Sequence, residues 1–256
     1  MILTVDVGNT STVCGIFEES GCLKALFSFK TEPVVSPEEL TLRLKGFLDL
    51  YGIKLWHIKG LSVSCVVPPL LNWWTEVGKK WLVREVLIAD ADTVGIPVKL
   101  RYPSEVGADR LVNAFAGWKK FGGPLIIVDF GTAITFDCVS KDGEYLGGAI
   151  APGLGISVDS LFKYTAKLPK IDLGSPPEAA IGKDTVSAIK SGVIYGFAGL
   201  TDRLVELLSA EMEATPSVIA TGGLANLVAP FSRTIKKLEP YLTLEGLYLL
   251  WKASKG

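Results

Sequence analysis

Two stretches of the chain read alike, and their likeness limits the fold more than any other feature. LTVDVGNTSTVCGIF, from Leu3, and PLIIVDFGTAITFDCVS, from Pro124, each run an apolar strand into an acid, then a glycine and small polar residues, then a second strand. Laid over one another, Asp129 falls on Asp6, Gly131 on Gly8 and Thr132 on Asn9, a separation of 123 residues in a chain of 256. Asp, Gly and Asn are ordinary hairpin residues, so one such turn would mean little. Two hairpins need not share an acid at the same strand position. A repeat at nearly half the chain length points to a duplicated domain, since solenoid units are much shorter. Paired halves usually leave a cleft, which places the site there, with each half presenting its acid-glycine turn.

The remaining pattern is α/β. Strands are expected near 2–7, 12–18, 23–30, 60–66 and 85–89, with helices over 37–51 and after Pro68-Pro69. The first three strands are close enough to form a meander and the later ones alternate with helices, which gives a mixed sheet. Leu111, Val112, Phe115 and Trp118 recur at helical spacing, so a helix begins near Gly107 and ends at Gly122-Gly123-Pro124. The halves are therefore expected over 1–118 and 119–256. In the second, a Gly-rich passage, LGGAIAPGLGISVDSLF, precedes a long helix from about Thr185 to Met212, a strand SVIATGG and a closing helix TLEGLYLLWKA.

Composition removes several function classes. With 26 basic and 27 acidic side chains there is no basic field for nucleic acid. No apolar run reaches the ~18 residues of a membrane span, and Asp6 interrupts what would be the core of a signal peptide. Cys14, Cys22, Cys65 and Cys138 form no C-x-x-C pair, so reduced thiols in a cytoplasmic protein are the simpler reading. His57 is the only histidine and no G-x-S-x-G elbow occurs, which leaves carboxylates and backbone amides to carry any chemistry.

Those groups suit a nucleotide. A tight turn after Asp6, with Gly8 exposing backbone N–H groups beside Asn9 and Thr10, can hold phosphate oxygens, and Asp6 can hold magnesium through water. ATGGL, with Thr221-Gly222-Gly223, is a third small-residue turn, either a routine strand-to-helix connection or a close approach to an adenosine. There is no Walker A sequence, and GLGISV lacks the third glycine of a dinucleotide fingerprint. In YPSEVGADRLVNAF, Asp109 and Arg110 fall in the first helical turn. There they can complement the helix dipole and make a surface pair, or act as the base on a substrate hydroxyl and the clamp on an anionic group.

Taken together, D-V-G-N-T at 6–10, Y-P with G-A-D-R at 102–110, D-F-G-T-A at 129–133, G-G-A-I-A-P-G at 147–153, G-K-D-T at 182–185 and T-G-G at 221–223 resemble the type III pantothenate kinases. These belong to the acetate kinase, sugar kinase, heat-shock ATPase and actin superfamily. The resemblance implies two duplicated ribonuclease H-like, actin-like half-domains, and ATP-dependent phosphorylation of the terminal hydroxyl of pantothenate, the first step toward coenzyme A. By position it implies that Asp6, Val7, Gly8, Asn9, Thr10 and Thr132 contact ATP, that Asp109 accepts the proton, and that Asp129 holds a monovalent cation, potassium or ammonium. Tyr102, Gly107, Ala108, Asp109, Arg110 and Thr185 would hold pantothenate, in a homodimer that completes the pocket at its interface. Ile134 departs from the family pattern, which favours a small residue there, and is expected to face the core. By their residues alone, Tyr102 is equally a packed aromatic before Pro103, and Thr185 an N-cap beside Asp184. The rivals are another phosphotransferase of the superfamily and a non-catalytic nucleotide-binding regulator.

Overall fold

The computed structural model describes residues 1–82 and 85–255. They form two units: Met1–Ile96 with Arg101–Ala116 and the stretch from Leu242 on, and Pro97–Leu100 with Gly117–Tyr241.

The first unit is built on five strands, β1 (Ile2–Val7), β2 (Ser11–Phe17), β3 (Leu23–Lys30), β4 (Gly60–Cys65) and β5 (Val86–Ile88), in the order β3-β2-β1-β4-β5. The meander β1-β2-β3 is antiparallel, and β4 and β5 continue it in parallel, as crossover connections require. β1 is central and its apolar residues are buried on both faces, which is why its sequence does not alternate. Helix α1 (Pro37–Leu50) opens with a capping box between Ser36 and Glu39 and with Pro37 in its first turn. It buries Leu40, Leu44 and Leu48, spaced four apart along one face. Helix α2 (Pro68–Val77) follows β4, and α3 (Ala108–Phe121) starts in this unit.

The second unit repeats the design with β6 (Leu125–Phe130), β7 (Ala133–Val139), β8 (Tyr145–Pro152), β9 (Ser217–Thr221) and the two-residue β10 (Lys237–Leu238), ordered β10-β9-β6-β7-β8. Read from the other edge this is the order of the first sheet. β6 pairs antiparallel with β7 and parallel with β9, as β1 does with β2 and β4. Asp6 and Asp129 are each the fifth residue of the central strand, so the overlay of the two stretches is a true structural equivalence. Ile134 is fully buried, as expected. Helices α4 (Leu154–Tyr164), α5 (Thr185–Glu211) and α6 (Ala225–Val228) complete this unit.

The two units do not divide the chain at the expected 118/119. The closing helix α7 (Leu242–Ala253) packs in the first unit, on glycines that leave it room: a Cβ at Gly60 would stand 2.2 Å from the Trp251 ring, and one at Gly246 would stand 2.7 Å from Val112. Pro97–Leu100 joins the second unit through backbone bonds of 2.8 Å from Tyr145 N to Pro97 O and from Lys99 N to Tyr145 O. The boundary between Ala116 and Gly117 lies inside α3.

Candidate active site

At the C-terminal end of β1 the chain reverses through Gly8, Asn9 and Thr10, and Gly8 N donates to Ser11 O at 3.1 Å. Thr31 N donates to Thr10 O at 3.0 Å, tying the turn to the end of β3. Asn9 and Thr10 are exposed, whereas Val7 is buried and Asp6 partly buried. Parallel pairing sets Asp6 beside Ser64 and Thr4 beside Ser62, so all four side chains share one face of the sheet. The hydroxyls of Ser62 and Ser64 are buried and have no hydrogen-bond partner among the described residues. Buried hydroxyls are rarely left so.

The G-A-D-R run sits at the same end of this sheet. Val66 N donates to Val7 O at 3.1 Å, and a Cβ on Gly107 would lie 3.6 Å from Val66, which sets the start of α3 beside the extension of β4. That Cβ would also stand 2.5 Å from Asp109 Oδ1, so the glycine is what lets the carboxylate fold back over the first turn. There Oδ1 accepts from Arg110 N at 2.8 Å. Burial pushes the Asp109 carboxyl above the usual range, opposed by that hydrogen bond and by the Arg110 charge. Tyr102, 54% exposed, carries the Arg101 guanidinium 5.3 Å from its ring centre and precedes a short 3-10 turn, Pro103–Glu105. A cavity of about 540 Å3 adjoins this loop, lined by Val66, Leu71 and Ile88 beside Gly107 and Ala108 and by the acidic residues Asp90, Asp92 and Glu105.

In the second unit the equivalent turn is one residue shorter: Gly131 and Thr132 join β6 to β7, and Gly131 N donates to Ala133 O at 3.1 Å. Thr132 is exposed and Asp129 partly buried. Two other turns close on this one. Gly153 N donates to Thr132 O at 3.2 Å, and a Cβ on Gly153 would stand 2.2 Å from that oxygen. Gly222, at φ +91°, is so placed that a Cβ would stand 2.4 Å from Asp129 Oδ1.

The expected residues thus form groups within each unit. Asp6 to Thr10 and Gly107 to Arg110 gather at one end of the first sheet, and Asp129 and Thr132 lie at the matching end of the second. Thr185 is exposed at the first position of α5. Asp184, not Thr185, is the N-cap, its Oδ1 accepting from Ser187 N at 2.9 Å. The extended backbone needed at a cap falls on Asp184, at φ −143° and ψ 170°. Sequence reasoning missed Ser64 and the packing role of Gly153. The signal for Ser64 was a pair of hydroxyls, with Ser62, alternating with apolar residues in a buried strand, and for Gly153 a glycine directly before a helix.

Paired mixed sheets of this order, each with an acid-glycine turn at the end of its central strand, define the actin-like fold of the sugar kinases. A ROK family glucokinase from Streptomyces griseus, solved with glucose and AMPPNP, superimposes with a TM-score of 0.59 at 12% identity over 100% of this chain and 99% of that one. Sequence narrows the class further. The family model for type III pantothenate kinase matches residues 2–207. The type III pantothenate kinase of Desulfatibacillum aliphaticivorans is 45% identical over 98% of both chains, and that of Roseiflexus sp. (strain RS-1) 44% identical over the whole of both. The chain belongs to the type III pantothenate kinase family.

Proposed function

We infer that this protein transfers the γ-phosphoryl group of ATP to the terminal hydroxyl of pantothenate, giving 4′-phosphopantothenate and ADP at the first step of coenzyme A synthesis. The observation that carries this reading is the family match along the whole chain, with both acid-glycine turns and G-A-D-R in place.

In the proposed reaction Asp109 accepts a hydrogen bond from the acceptor hydroxyl. As the hydroxyl oxygen bonds to the γ-phosphorus and the bond to ADP breaks, the proton passes to the Asp109 carboxylate. Little bonding to the nucleophile has formed in a loose transition state, so a carboxylate suffices. A carboxyl raised by burial is also a better base than an ordinary one. Arg110 pairs with the pantothenate carboxylate, while Tyr102, Gly107, Ala108 and Thr185 supply the remaining acceptor contacts. The acidic residues that line the cavity beside the loop make it a poor place for that anion. Asp6, Val7, Gly8, Asn9 and Thr10, with Thr132, are the proposed ATP contacts, the glycine turns offering backbone N–H groups to phosphate oxygens.

The residues present fit the ions such a reaction uses. Among the described residues no three His, Cys, Asp or Glu side chains gather into a cage. That suits magnesium, which keeps much of its water and binds through one or two carboxylates and the phosphates. Asp6 would hold it, next to the orphaned hydroxyl of Ser64. Asp129, in a cradle that a side chain at 222 would fill, would hold potassium or ammonium. When bound, these ions neutralise phosphate charge.

A homodimer that completes the acceptor pocket is part of the proposal. Its support is apolar surface on the second unit: Ile150 on β8 is 65% exposed, and Ile156, Phe162 and Tyr164 on α4 are exposed as well. A cytoplasmic location is proposed too. No helix among the described residues is long and apolar enough to cross a membrane.

The test is ADP release with ATP and magnesium, with and without pantothenate, in potassium and then in sodium. Release that needs pantothenate and rises with potassium is expected. Release without an acceptor would indicate a phosphohydrolase, and none despite ATP binding a regulator.

A further inference from the structure

The two acid-glycine turns are equivalent in topology but not in how they are held. In the first sheet Asp6 pairs with Ser64, and the next residue on that strand is Cys65. In the second, Asp129 pairs with Thr221, and the next residue is Gly222. So where one unit has a residue with a side chain the other has a glycine at the corresponding position, and this glycine has two constraints upon it. Its φ of +91° is a conformation that L side chains rarely adopt. A Cβ there would also stand 2.4 Å from Asp129 Oδ1 and 2.7 Å from both the nitrogen and the carbonyl carbon of Phe130. The backbone at 222 therefore lies directly on the Asp129 carboxylate and the peptide that follows it.

From the other side Gly153 does the same to the rest of the turn. A Cβ on Gly153 would stand 2.6 Å from Gly131 O and 2.8 Å from the carbonyl carbon of Thr132, close to the hydrogen bond that Gly153 N donates to Thr132 O. The first turn has no such pair: a Cβ on Gly8 would meet only Ser11 O, at 3.1 Å within its own hairpin. A glycine with no room for a Cβ lies against its neighbours, and close packing of that kind leaves few alternative positions for what it touches.

We propose that Gly222 and Gly153 are positioning residues that fix the Asp129–Thr132 turn from its two sides, with Gly222 setting where the Asp129 carboxylate stands. This rests on the reading of Asp129 as the monovalent-cation ligand. Gly222 then acts through Asp129, and T-G-G owes its second residue to the carboxylate rather than to an adenosine.

The experiment is a double-mutant cycle on Gly222→Ala and Asp129→Ala, reading the KM for ATP, the half-activating potassium concentration and the kcat at saturation. Gly222→Ala is expected to raise the first two by about tenfold or more, with kcat at saturation within about threefold and the KM for pantothenate unchanged. A general loss of folding would not single out the potassium response. In the Asp129→Ala background the same substitution is expected to leave both constants within about twofold, because the carboxylate it displaces is gone. Additive effects in the double variant would overturn the proposal. An Asp129→Ala enzyme with normal ATP and potassium constants would instead refute the cation reading itself, a separable result. Should Gly222→Ala fail to accumulate as folded protein, melting temperature and yield give the second reading. The double variant, relieved of the 2.4 Å contact though not of those at Phe130 or of the strained φ, is expected to recover part of the loss in melting temperature and yield, and a double variant no better than the single would count against the proposal.

Discussion

Asp109, the proposed base, also carries a cost to the fold. Its carboxyl is raised by burial, so the folded protein holds the proton more tightly than the unfolded chain does. Stability contributed by this group is therefore greatest below the unfolded carboxyl range and falls as the pH rises through the folded value. At neutral pH the charged form is a burden that an amide would not carry. Asp109→Asn is expected to lower kcat by about a hundredfold or more while ATP still binds. Its melting temperature at pH 7 should equal or exceed that of the natural protein, an advantage that shrinks as the pH is lowered. Unchanged turnover would show that the base is assigned wrongly. The sequence already placed Asp109 and Arg110 in the first turn of a helix, because Leu111, Val112, Phe115 and Trp118 mark one face. It did not reveal the raised carboxyl, which depends on burial at the end of β4, more than forty residues earlier.

Among the elements, α5 has a tie that only the structure shows. Asp202, buried near its middle, accepts from Ser232 Oγ at 2.7 Å, from Thr234 Oγ1 at 2.8 Å and from the backbone nitrogens of Arg233 and Thr234 at 3.0 and 3.1 Å. Burial alone would raise this carboxyl, but the hydrogen bonds win and hold it at about 2. The Arg233 side chain, 82% exposed, adds little. The depressed value means stability that is present above the unfolded carboxyl value and is lost as pH falls from about 4 through about 2. Asp202→Ala is expected to cost about 2 kcal/mol at pH 7 and to flatten the acid limb of the stability curve, read by denaturant unfolding. Long patterned elements were legible beforehand: strands at 2–7 and 23–30 and the helix from Thr185 stand where periodicity put them. β8 and α4 were not, because the glycines of LGGAIAPGLGIS hide the alternation of a strand and the start of a helix. The two residues of β10 are too few to leave a pattern.

For the whole molecule, the internal repeat was the strongest signal, and it was legible because Asp6 and Asp129 occupy the same place in the same topology. The destination of α7 was not, since an apolar closing helix fits either half equally by pattern. The proposed dimer also belongs to this scale. Ile150→Asp, on the exposed face of β8, is expected to give a protein of half the mass in sedimentation and to lose most pantothenate-dependent turnover. A monomeric natural protein, or a variant dimer of full activity, would set that surface aside.

The return of α7 also bears on synthesis. Tyr248 donates its hydroxyl to Glu19 O at 2.8 Å across 229 residues of chain, and Trp251 fills the space beside Gly60. A ribosome delivers the amino end first, so the first sheet emerges long before the helix that covers one of its faces. The second unit, contiguous but for four residues, can be completed while the first still waits for its last element. A stop before α7 would thus damage not the unit most recently made, but the one begun before it.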